Sequence, residues 1–353
     1  MISNIKTTLD NTVAIVERES IFSKESVLEW VLGELWPLVC PSVTLLESLG
    51  YGAAVLIPTG SLSNLPLHVA RPRNGDDGRC ANERVALSFA PSARLLARAR
   101  NTAIKFKTAQ PDMLAIVDPS PTSAPPLPLA AAEVAIVSSR FVRPWGDFFI
   151  KPRVLSGRSA ARESVFAMGE YQAIRHFACH ARYDLEEPLR SGILLANDEL
   201  CSAADFMRKN QKFRFTVLSC CESAKSGTDA ASDSVGLPGL IMASGSSGVI
   251  GTLWPVYDLR ATLLMLRFYD FFIDDKNGPI QALSRAQAWL VRSTWQEKAV
   301  YLEEGETRMK ERDLLGTTGK RFEEIIKKFR QSKSRDDYRF NLSTSAAYVF
   351  VGL

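Results

Sequence analysis

A pair of adjacent cysteines and a histidine are the residues of this sequence that could combine a nucleophile with a base. Among 353 residues, histidine occurs only at His68, His176 and His180, so a reaction that needs an imidazole near neutral pH must use one of them. Cys220 and Cys221 follow the apolar run FRFTVLS. A thiol and an imidazole that meet in the fold form an activated cysteine nucleophile. The pattern therefore indicates cysteine-dependent acyl transfer if His180 meets one of these thiols.

The segment His176-Phe-Ala-Cys179-His180 also suggests a metal site, because it contains two imidazoles and a thiol. The apolar run 171–179 predicts a strand, in which His176 and His180 share a face but lie about 13 Å apart at about 3.3 Å per residue. Two ligands of one zinc ion each lie about 2 Å from the metal. Cys179 points to the opposite face of such a strand. The geometry disfavours a metal site unless the segment is helical.

A structural interpretation competes with the catalytic one. A buried histidine and a pair of core cysteines are common in folded proteins, and sequence spacing alone does not decide between these roles. The common motifs of nucleotide, zinc-protease, serine-hydrolase and calcium sites are absent from the sequence. The histidines and cysteines are therefore the remaining basis for a functional assignment.

The elements that must position these residues alternate between strands and helices. Continuous apolar runs indicate strands covered on both faces, as in a parallel sheet. Apolar runs of this kind occur at 53–58, 113–117, 149–155, 171–179, 213–220, 247–253 and 346–353. Helical patterns occur at 91–100, 129–139, 159–168, 235–244, 259–273 and 280–291. The alternation predicts a mostly parallel α/β sheet, with its chemistry at the carboxyl ends of the strands.

Prolines and charges mark the other segments. Ser26-Val-Leu-Glu29 is typical of a capping box before an amphipathic helix, which Pro37 and Pro41 are expected to end or kink. Five prolines between residues 119 and 128 predict a rigid loop, which is the first candidate for a domain boundary. Residues 303–337 are mostly charged and predict a solvated helix followed by a loop.

Composition and charge restrict the class of protein. The net charge of +4 comes without the dense basic stripe of a dedicated nucleic-acid binder, so no nucleic-acid partner is expected. No stretch reaches the roughly 18 apolar residues that cross a bilayer, and the first residues lack a signal-peptide pattern. Six cysteines without CxxC pairs indicate neither a disulfide framework nor a zinc site. We therefore expect a soluble, cytoplasmic protein with reduced thiols and no membrane contact.

Three blocks of sequence carry a resemblance to a known family. They are HFACHA with DLEEPLRSGILLANDEL (176–200), VLSCCESA (217–224) and SSGVIGTLWPVYDLRAT (246–262). In this order they resemble the CHAT family of caspase-like cysteine peptidases, in which HFA-x-HG, L-S-A-C-E/Q-T and V-x-G-T/A-L/M-W segments follow one another. Further matches extend the resemblance to about residues 26–353. The resemblance implies a caspase-like three-layer αβα sandwich with a mostly parallel central sheet.

The resemblance also assigns roles to individual residues. The family's general base falls on His180 and its nucleophile on Cys221, whereas Cys220 takes the place of a small residue and is expected to be buried and inert. His176 matches the first histidine of its block and is expected to pack in the core. The backbone N–H of Ala181, which replaces the usual glycine, is the expected oxyanion donor together with that of Cys221. The family resembled needs no cofactor and no metal, so none is expected.

Acidic residues in the neighbouring loops are candidates for a substrate pocket. We name Asp184, Glu222 and Asp258 as residues that could line the S1 pocket and favour Arg or Lys at P1, and Asp198 and Asp233 are further acidic residues nearby. Each of them is also open to interpretation as a helix cap or a solvated loop residue. The P1 preference stays open at this point.

The resemblance divides the chain as well. It implies a helical lead-in at 1–48 and a CHAT caspase-like domain at 49–353, with a pseudo-caspase half at 49–145 and a catalytic half at 146–353. His68 lies in the first half and is expected to be packed within a loop.

In function, the resemblance implies a cysteine endopeptidase that cleaves protein substrates through a Cys–His dyad. It also implies control by a helical-repeat or sensor partner and a role in defence or cell death. The alternative is a catalytically inactive, caspase-like binding module, which Ala181 and the replacement of Thr-Gly by Ser223-Ala224 keep open. A third interpretation is an α/β domain that binds a small ligand at the same edge.

Overall fold

A computed structural model describes most of the chain from residue 25 onward. The described residues are 25–73, 78–106, 112–127, 129–145, 148–150, 152–167, 173–184, 186–219, 236–254, 256, 258–273, 278–311, 323, 325–327, 329–331 and 338–353. Helices α1 to α11 are, in order, Glu25–Ser48, Ala81–Arg84, Ala93–Lys105, Ala130–Ser139, Arg162–Ala167, Ala203–Lys209, Leu237–Ala243, Asp258–Ile273, Pro279–Arg292, Trp295–Glu311 and Tyr338–Ala347. Strands β1 to β13 are Ala53–Leu56, Ala86–Phe89, Met113–Val117, Arg143–Trp145, Phe148–Ile150, Arg153–Ser156, Ile174–Ala178, Ala181–Arg182, Gly192–Leu194, Leu200–Ser202, Phe215–Leu218, Gly248–Thr252 and Tyr348–Gly352.

Within the described residues, eight strands form one sheet in the order β1-β2-β13-β12-β11-β7-β3-β6. Strands β12, β11, β7, β3 and β6 pair in parallel. The last strand, β13, pairs antiparallel with β12 and parallel with β2, which in turn pairs in parallel with β1. The sheet is therefore mostly parallel, as the apolar runs predict.

Helices cover both faces of the sheet because side chains alternate along each buried strand. In β7, Ala178 belongs to the cluster under α4, α8 and α9, whereas Phe177 belongs to the cluster under α6 and α7. Cys179, directly after β7, is buried in that second cluster as well. Full burial of a side chain such as that of Phe177 stabilises the fold by roughly 1.5–3 kcal/mol. The strand that leads to His180 is thus fixed from both sides.

Helix α1 continues through both of the prolines that were expected to end or kink it, so neither ends the helix. Each proline removes one backbone hydrogen bond. Pro37 and Pro41 lie on the exposed side, whereas Leu35, Val39 and Val43 are buried on the other. Burial of that apolar face offsets the lost bonds.

In the part of the chain that the structure describes, no helix is both long and apolar enough to span a bilayer.

Strands from both predicted halves of the chain lie in the one sheet. Strands β1 and β2, from the range 49–145, lie at one end of it. Strand β3 comes from the same range but pairs directly with β7, which leads to His180. The division at residue 145 stays a prediction, since the strands on its two sides share a sheet.

A buried polar network connects His68 and Asn82, in the N-terminal part of the chain, to α9 and to the chain around the end of α11. Gln287 on α9 donates to the carbonyl oxygens of Ser345 and Tyr348 at 2.8 Å each and accepts a bond of 2.7 Å from Nδ2 of Asn82. Its Nε2 atom also lies 3.2 Å from Nε2 of His68. Burial lowers the pKa of His68 to about 4, so the ring is neutral at pH 7. His68 is therefore a packed core residue, which fits its predicted role.

Candidate active site

His180 lies at the carboxyl edge of the sheet, just beyond the end of β7. Strand β7 pairs in parallel with β11, with Phe177 opposite Leu218, the last residue of β11. The N–H of Ser219 donates to the carbonyl oxygen of Phe177 at 2.8 Å, so the two chains are still paired where β11 ends. The chain therefore leaves β11 beside the segment that leads into His180. The predicted residues outside the described part of the chain are Cys220, Cys221, Glu222 and Asp233.

A backbone carbonyl orients the imidazole of His180. The Nε2 atom lies 2.8 Å from the carbonyl oxygen of Pro125, and since a carbonyl can only accept, Nε2 carries the proton in this bond. In the neutral ring, Nδ1 is then the acceptor. The carbonyl oxygen of His180 accepts a bond of 2.9 Å from the N–H of Leu194. The partly exposed ring is thus held in the tautomer whose Nδ1 can accept a proton.

The orienting carbonyl comes from the proline-rich loop. The N–H of Asp118 donates to the carbonyl oxygen of Ala178, the last residue of β7, at 3.1 Å. The N–H of Leu127, near the other end of the loop, donates to Oδ1 of Asp118 at 3.2 Å. Both ends of the loop therefore meet at the end of β7. The loop therefore contacts both the end of β7 and His180, and its interpretation as a candidate domain boundary stays a prediction.

Comparison with known proteins identifies the family. Residues 30–331, more than half of the chain, match the family model of the CHAT domain. The chain belongs to the CHAT domain family. Among solved structures it is similar to separase in the Saccharomyces cerevisiae separase–securin complex, with a TM-score of 0.50 and 12% identity over 85% of this chain and 16% of that chain. It is also similar to the Arg-specific cysteine proteinase gingipain R, with a TM-score of 0.45 and 7% identity over 79% of this chain and 56% of that chain.

This CHAT domain has the caspase-like fold that its sequence blocks imply. At 12% identity the likeness to separase shows the fold alone, and the chain spans only 16% of the separase chain. A search of curated proteins with the sequence finds no match. The family and the fold are therefore established, and the chemistry rests on the residues themselves.

The three sequence blocks of the CHAT domain form neighbouring strands. The first block contributes β7, the second contains the end of β11, and the third contributes β12. These strands are adjacent in the sheet order β12-β11-β7, and all three run in parallel. The blocks are far apart in the sequence but lie side by side in the sheet.

Ala181 opens strand β8, which pairs antiparallel with β9. An alanine in place of the usual glycine would be strained only if the backbone required a positive φ. Among the described non-glycine residues, positive φ occurs at Asp118, Asn197, Asp198 and Asn210, and Ala181 does not share it. The replacement therefore adds no backbone strain. The role of the Ala181 N–H as an oxyanion donor stays a prediction.

His176 lies in the core and not at the sheet edge. Its Nδ1 atom is 3.0 Å from the hydroxyl of Tyr269, and its Nε2 atom is 3.1 Å from Oε1 of Glu133. The hydroxyl of Thr262 donates to the other carboxylate oxygen of Glu133 at 3.3 Å. All four residues are buried. His176 is therefore packed and hydrogen-bonded, as expected from its place in the block.

The structure separates the two histidines of the HFACH segment. Strand geometry separates His176, inside β7, from His180 at the edge, as the sequence argument requires. Among the described residues, no group of His, Cys, Asp and Glu side chains could hold a metal ion.

Cys201 is a buried cysteine in strand β10. Burial raises the pKa of its thiol to about 12, which keeps this cysteine protonated and inert.

The acidic candidates for the substrate pocket take different positions. Asp184 caps a turn, since its Oδ1 accepts from the N–H groups of Glu186 at 3.1 Å and Glu187 at 2.9 Å. Asp258 is the first residue of α8. Asp198 accepts two hydrogen bonds from the proline-rich loop. A role in substrate binding stays a prediction for Asp184 and Asp258.

Sequence reasoning missed the carbonyl of Pro125 and the contacts that hold it. A backbone acceptor has no side-chain signature, so residue types could not reveal it. The available signal was the concentration of prolines between 119 and 128, which indicates a rigid loop. Rigidity serves here to aim a carbonyl at His180.

Proposed function

We propose that this CHAT domain is a cysteine endopeptidase in which His180 is the general base and Cys221 the nucleophile. The observation that carries the proposal is the His180 ring, held by the Pro125 carbonyl at the sheet edge where β11 ends. The register sets Leu218 opposite Phe177. Cys221 is the third residue after Leu218, and the proposal requires its thiol to come within reach of the His180 ring.

The first half of the reaction forms an acyl-enzyme. Nδ1 of His180 accepts the proton of the Cys221 thiol, and the thiolate sulfur attacks the scissile carbonyl carbon. The developing oxyanion accepts hydrogen bonds from the backbone N–H groups of Ala181 and Cys221. The tetrahedral intermediate collapses with cleavage of the C–N bond. The imidazolium gives its proton to the leaving amine, so the ring returns to its neutral state.

The second half releases the product. Nδ1 of His180 accepts a proton from water, whose oxygen attacks the thioester carbon. The C–S bond then breaks, Cys221 regains its proton from the ring, and the acid leaves. The carbonyl of Pro125 stabilises the imidazolium in both halves, because it accepts from Nε2 whether the ring is neutral or charged. No acidic side chain is needed to orient the ring.

Regulation by a protein partner is part of the proposal. The similar separase structure is a complex with securin, so a separate protein that binds this domain and controls access to His180 is consistent with the fold. A helical-repeat or sensor protein is the partner class that the family resemblance favours, with a role in defence or cell death. A cysteine nucleophile needs a reduced thiol, which favours action in the cytoplasm.

The test is digestion of a proteome-derived peptide library by the purified protein, with new termini identified by mass spectrometry. We expect cleavage by the wild type and none by Cys221→Ala or His180→Ala. The matched control is Cys220→Ala, which removes the neighbouring thiol and should retain cleavage. The new termini also give the P1 residue directly. A basic P1 would support an acidic pocket that includes Asp184, Glu222 or Asp258.

The inactive binding module makes a different prediction. In that case Cys221 does not react with peptidyl electrophiles, with or without candidate partner proteins, and Cys221→Ala leaves partner binding and cellular effect unchanged. Cleavage that persists in Cys221→Ala would contradict the proposed nucleophile directly.

A further inference from the structure

The carbonyl that orients His180 belongs to a loop, so something must hold that loop against the ring. One attachment is Asp118, which bonds to the end of β7 and to Leu127. That attachment fixes the two ends of the loop. Its middle, between the two ends, is held by a different part of the chain.

A turn between β9 and β10, formed by Ala196–Asp198, holds the middle of the loop. Oδ1 of Asp198 accepts from the N–H of Ser123 at 2.7 Å and from its hydroxyl at 2.9 Å. The N–H of Asn197 donates to the carbonyl oxygen of Pro121 at 2.8 Å. Three hydrogen bonds thus connect this turn to the segment just before Pro125. We refer to these contacts as the turn–loop clamp.

The backbone is unusual in the turn and at the start of the loop. Asp118, Asn197 and Asp198 have φ values of 40°, 61° and 58°. Residues other than glycine rarely adopt such values, and Asp and Asn tolerate them best. Strained backbone of this kind persists only where surrounding contacts enforce it, and it concentrates at functional sites. Of the four positive-φ non-glycine residues in the described chain, Asn197 and Asp198 lie in this turn and Asp118 lies at the start of the loop.

We infer that Asp198 is a positioning residue for His180: its carboxylate holds the proline-rich loop so that the Pro125 carbonyl fixes the tautomer of the ring. The effect of Asp198 on catalysis rests on the proposed function. The effect of Asp198 on the tautomer of His180 does not depend on whether the protein cleaves peptides. The same turn is joined to β9, and β9 pairs with β8, which directly follows His180. The clamp therefore connects the proline-rich loop, which contacts the ring, to the strands that follow His180.

The physical consequence of losing Asp198 is a change in the ring. Ser123 loses both bonds to the carboxylate, and the loop is released on the side of Pro125. The Nε2–H tautomer of His180 then loses part of the stabilisation that the carbonyl provides. A loss of one such bond shifts the tautomer ratio by about threefold to tenfold toward Nδ1–H. A ring with Nδ1–H cannot accept the thiol proton at that atom.

Two substitutions separate the effect of the Asp198 carboxylate from the effect of its backbone conformation. Asp198→Gly removes the carboxylate and accommodates the φ of 58°. Asp198→Asn keeps an Oδ1 acceptor and also tolerates this φ, so it should restore the clamp. Glu297→Ala is the matched control, because Glu297 accepts from the N–H and the hydroxyl of Thr294 at the same 2.7 and 2.9 Å but lies at the start of α10.

The experiment is NMR of the full chain with ¹⁵N-labelled histidine, since the ring nitrogen shifts report which nitrogen carries the proton. Only three histidines contribute, and His180→Gln assigns the signal of interest. We expect Asp198→Gly to shift the His180 ratio toward Nδ1–H by about threefold to tenfold. Asp198→Asn and Glu297→Ala should match the wild type.

The outcomes separate this inference from the proposed function. An unchanged His180 tautomer in folded Asp198→Gly overturns the inference, as does an equal shift in Asp198→Asn. If Asp198→Gly does not fold, Ser123→Ala removes the hydroxyl bond alone and must give a smaller shift in the same direction. If Asp198→Gly shifts the tautomer but the wild-type protein cleaves no peptide, the result supports the clamp and contradicts the proposed peptidase. If the tautomer shifts and the wild type also cleaves peptides, alkylation of Cys221 by iodoacetamide should slow by about tenfold in Asp198→Gly.

Discussion

Nε2 of His180 and the carbonyl oxygen of Pro125 are 2.8 Å apart, and this bond decides which ring nitrogen is left to accept a proton. Because the acceptor is a backbone atom, its direction depends on the ψ angle of Pro125. The residue after it, Pro126, restricts that angle to extended values. The aim of the carbonyl is therefore set by covalent structure as well as by hydrogen bonds.

Pro126→Gly is expected to lower peptide cleavage by about tenfold, because it frees the ψ angle of Pro125 and lets the carbonyl turn away from His180. The measurement is kcat/KM on a peptide taken from the library digestion. The matched control is Pro279→Gly at the first position of α9, which changes a proline far from the edge. Equal losses in both variants would show that the effect on activity is only a loss of stability.

Tyr269→Phe is expected to destabilise the fold by about 1–3 kcal/mol, because it leaves Nδ1 of the buried His176 without its partner. Unfolding in urea measures the change. Tyr51→Phe, at a side chain that is 58% exposed, should be neutral. Cleavage per folded molecule should be unchanged, and a specific loss of activity in Tyr269→Phe would contradict the structural role of His176.

Gln287→Met is expected to lower the free energy of unfolding by about 2–5 kcal/mol. The substitution removes the hydrogen-bond donor to the carbonyl oxygens of Ser345 and Tyr348 and the acceptor for the side chain of Asn82. Gln281→Met on the same helix is the control, and it should change the free energy of unfolding by less than about 0.5 kcal/mol. Equal stability of the two variants would contradict a stabilising role of this network.

Stability should fall as the pH drops from about 6.5 to about 4, partly through His68. Burial lowers the pKa of this ring in the folded state to about 4, so in this window the unfolded chain binds a proton that the folded chain does not. The stabilisation from the neutral ring is present above the unfolded pKa and is lost as the pH falls toward the folded pKa. The difference is about 3 kcal/mol across the window.

The check is the free energy of unfolding of the wild type and of His68→Phe, measured in urea at several pH values. The aromatic replacement keeps the edge-on packing against Phe89 but cannot titrate. We expect a shallower pH dependence in His68→Phe between pH 6.5 and 4. Parallel curves for the two proteins would contradict a buried, neutral His68.

Much of the fold was predictable from local pattern. The runs at 113–117, 213–220 and 247–253 correspond to β3, β11 and β12, and the helical patterns at 259–273 and 280–291 correspond to α8 and α9. These elements are buried on both faces or along one stripe, so their hydrophobic spacing reports their structure. At α1, the expectation of a helix end at Pro37 or Pro41 is wrong, because burial of the opposite face of the helix offsets the lost backbone hydrogen bonds.

The site was predictable only where it depends on residue type. His180 and Cys221 follow from the scarcity of histidine and from the family blocks, and the sheet places His180 at the predicted edge. The pairing of β7, which leads to His180, with β11 was not readable from spacing. Parallel neighbours in a sheet are chosen by packing of side chains that are distant in sequence.

The sequence by itself determined the α/β class, the family blocks and the candidate base and nucleophile, because these depend on residue identity and local periodicity. Only the tertiary structure decided that the proline-rich loop returns to the sheet edge, that the Pro125 carbonyl sets the tautomer of His180 and that Asp198 holds the loop. Those contacts join segments far apart in the chain, and they use backbone atoms at the Pro125 carbonyl and the Ser123 N–H. Backbone atoms are the same at every position, so no pattern of residue types could reveal them.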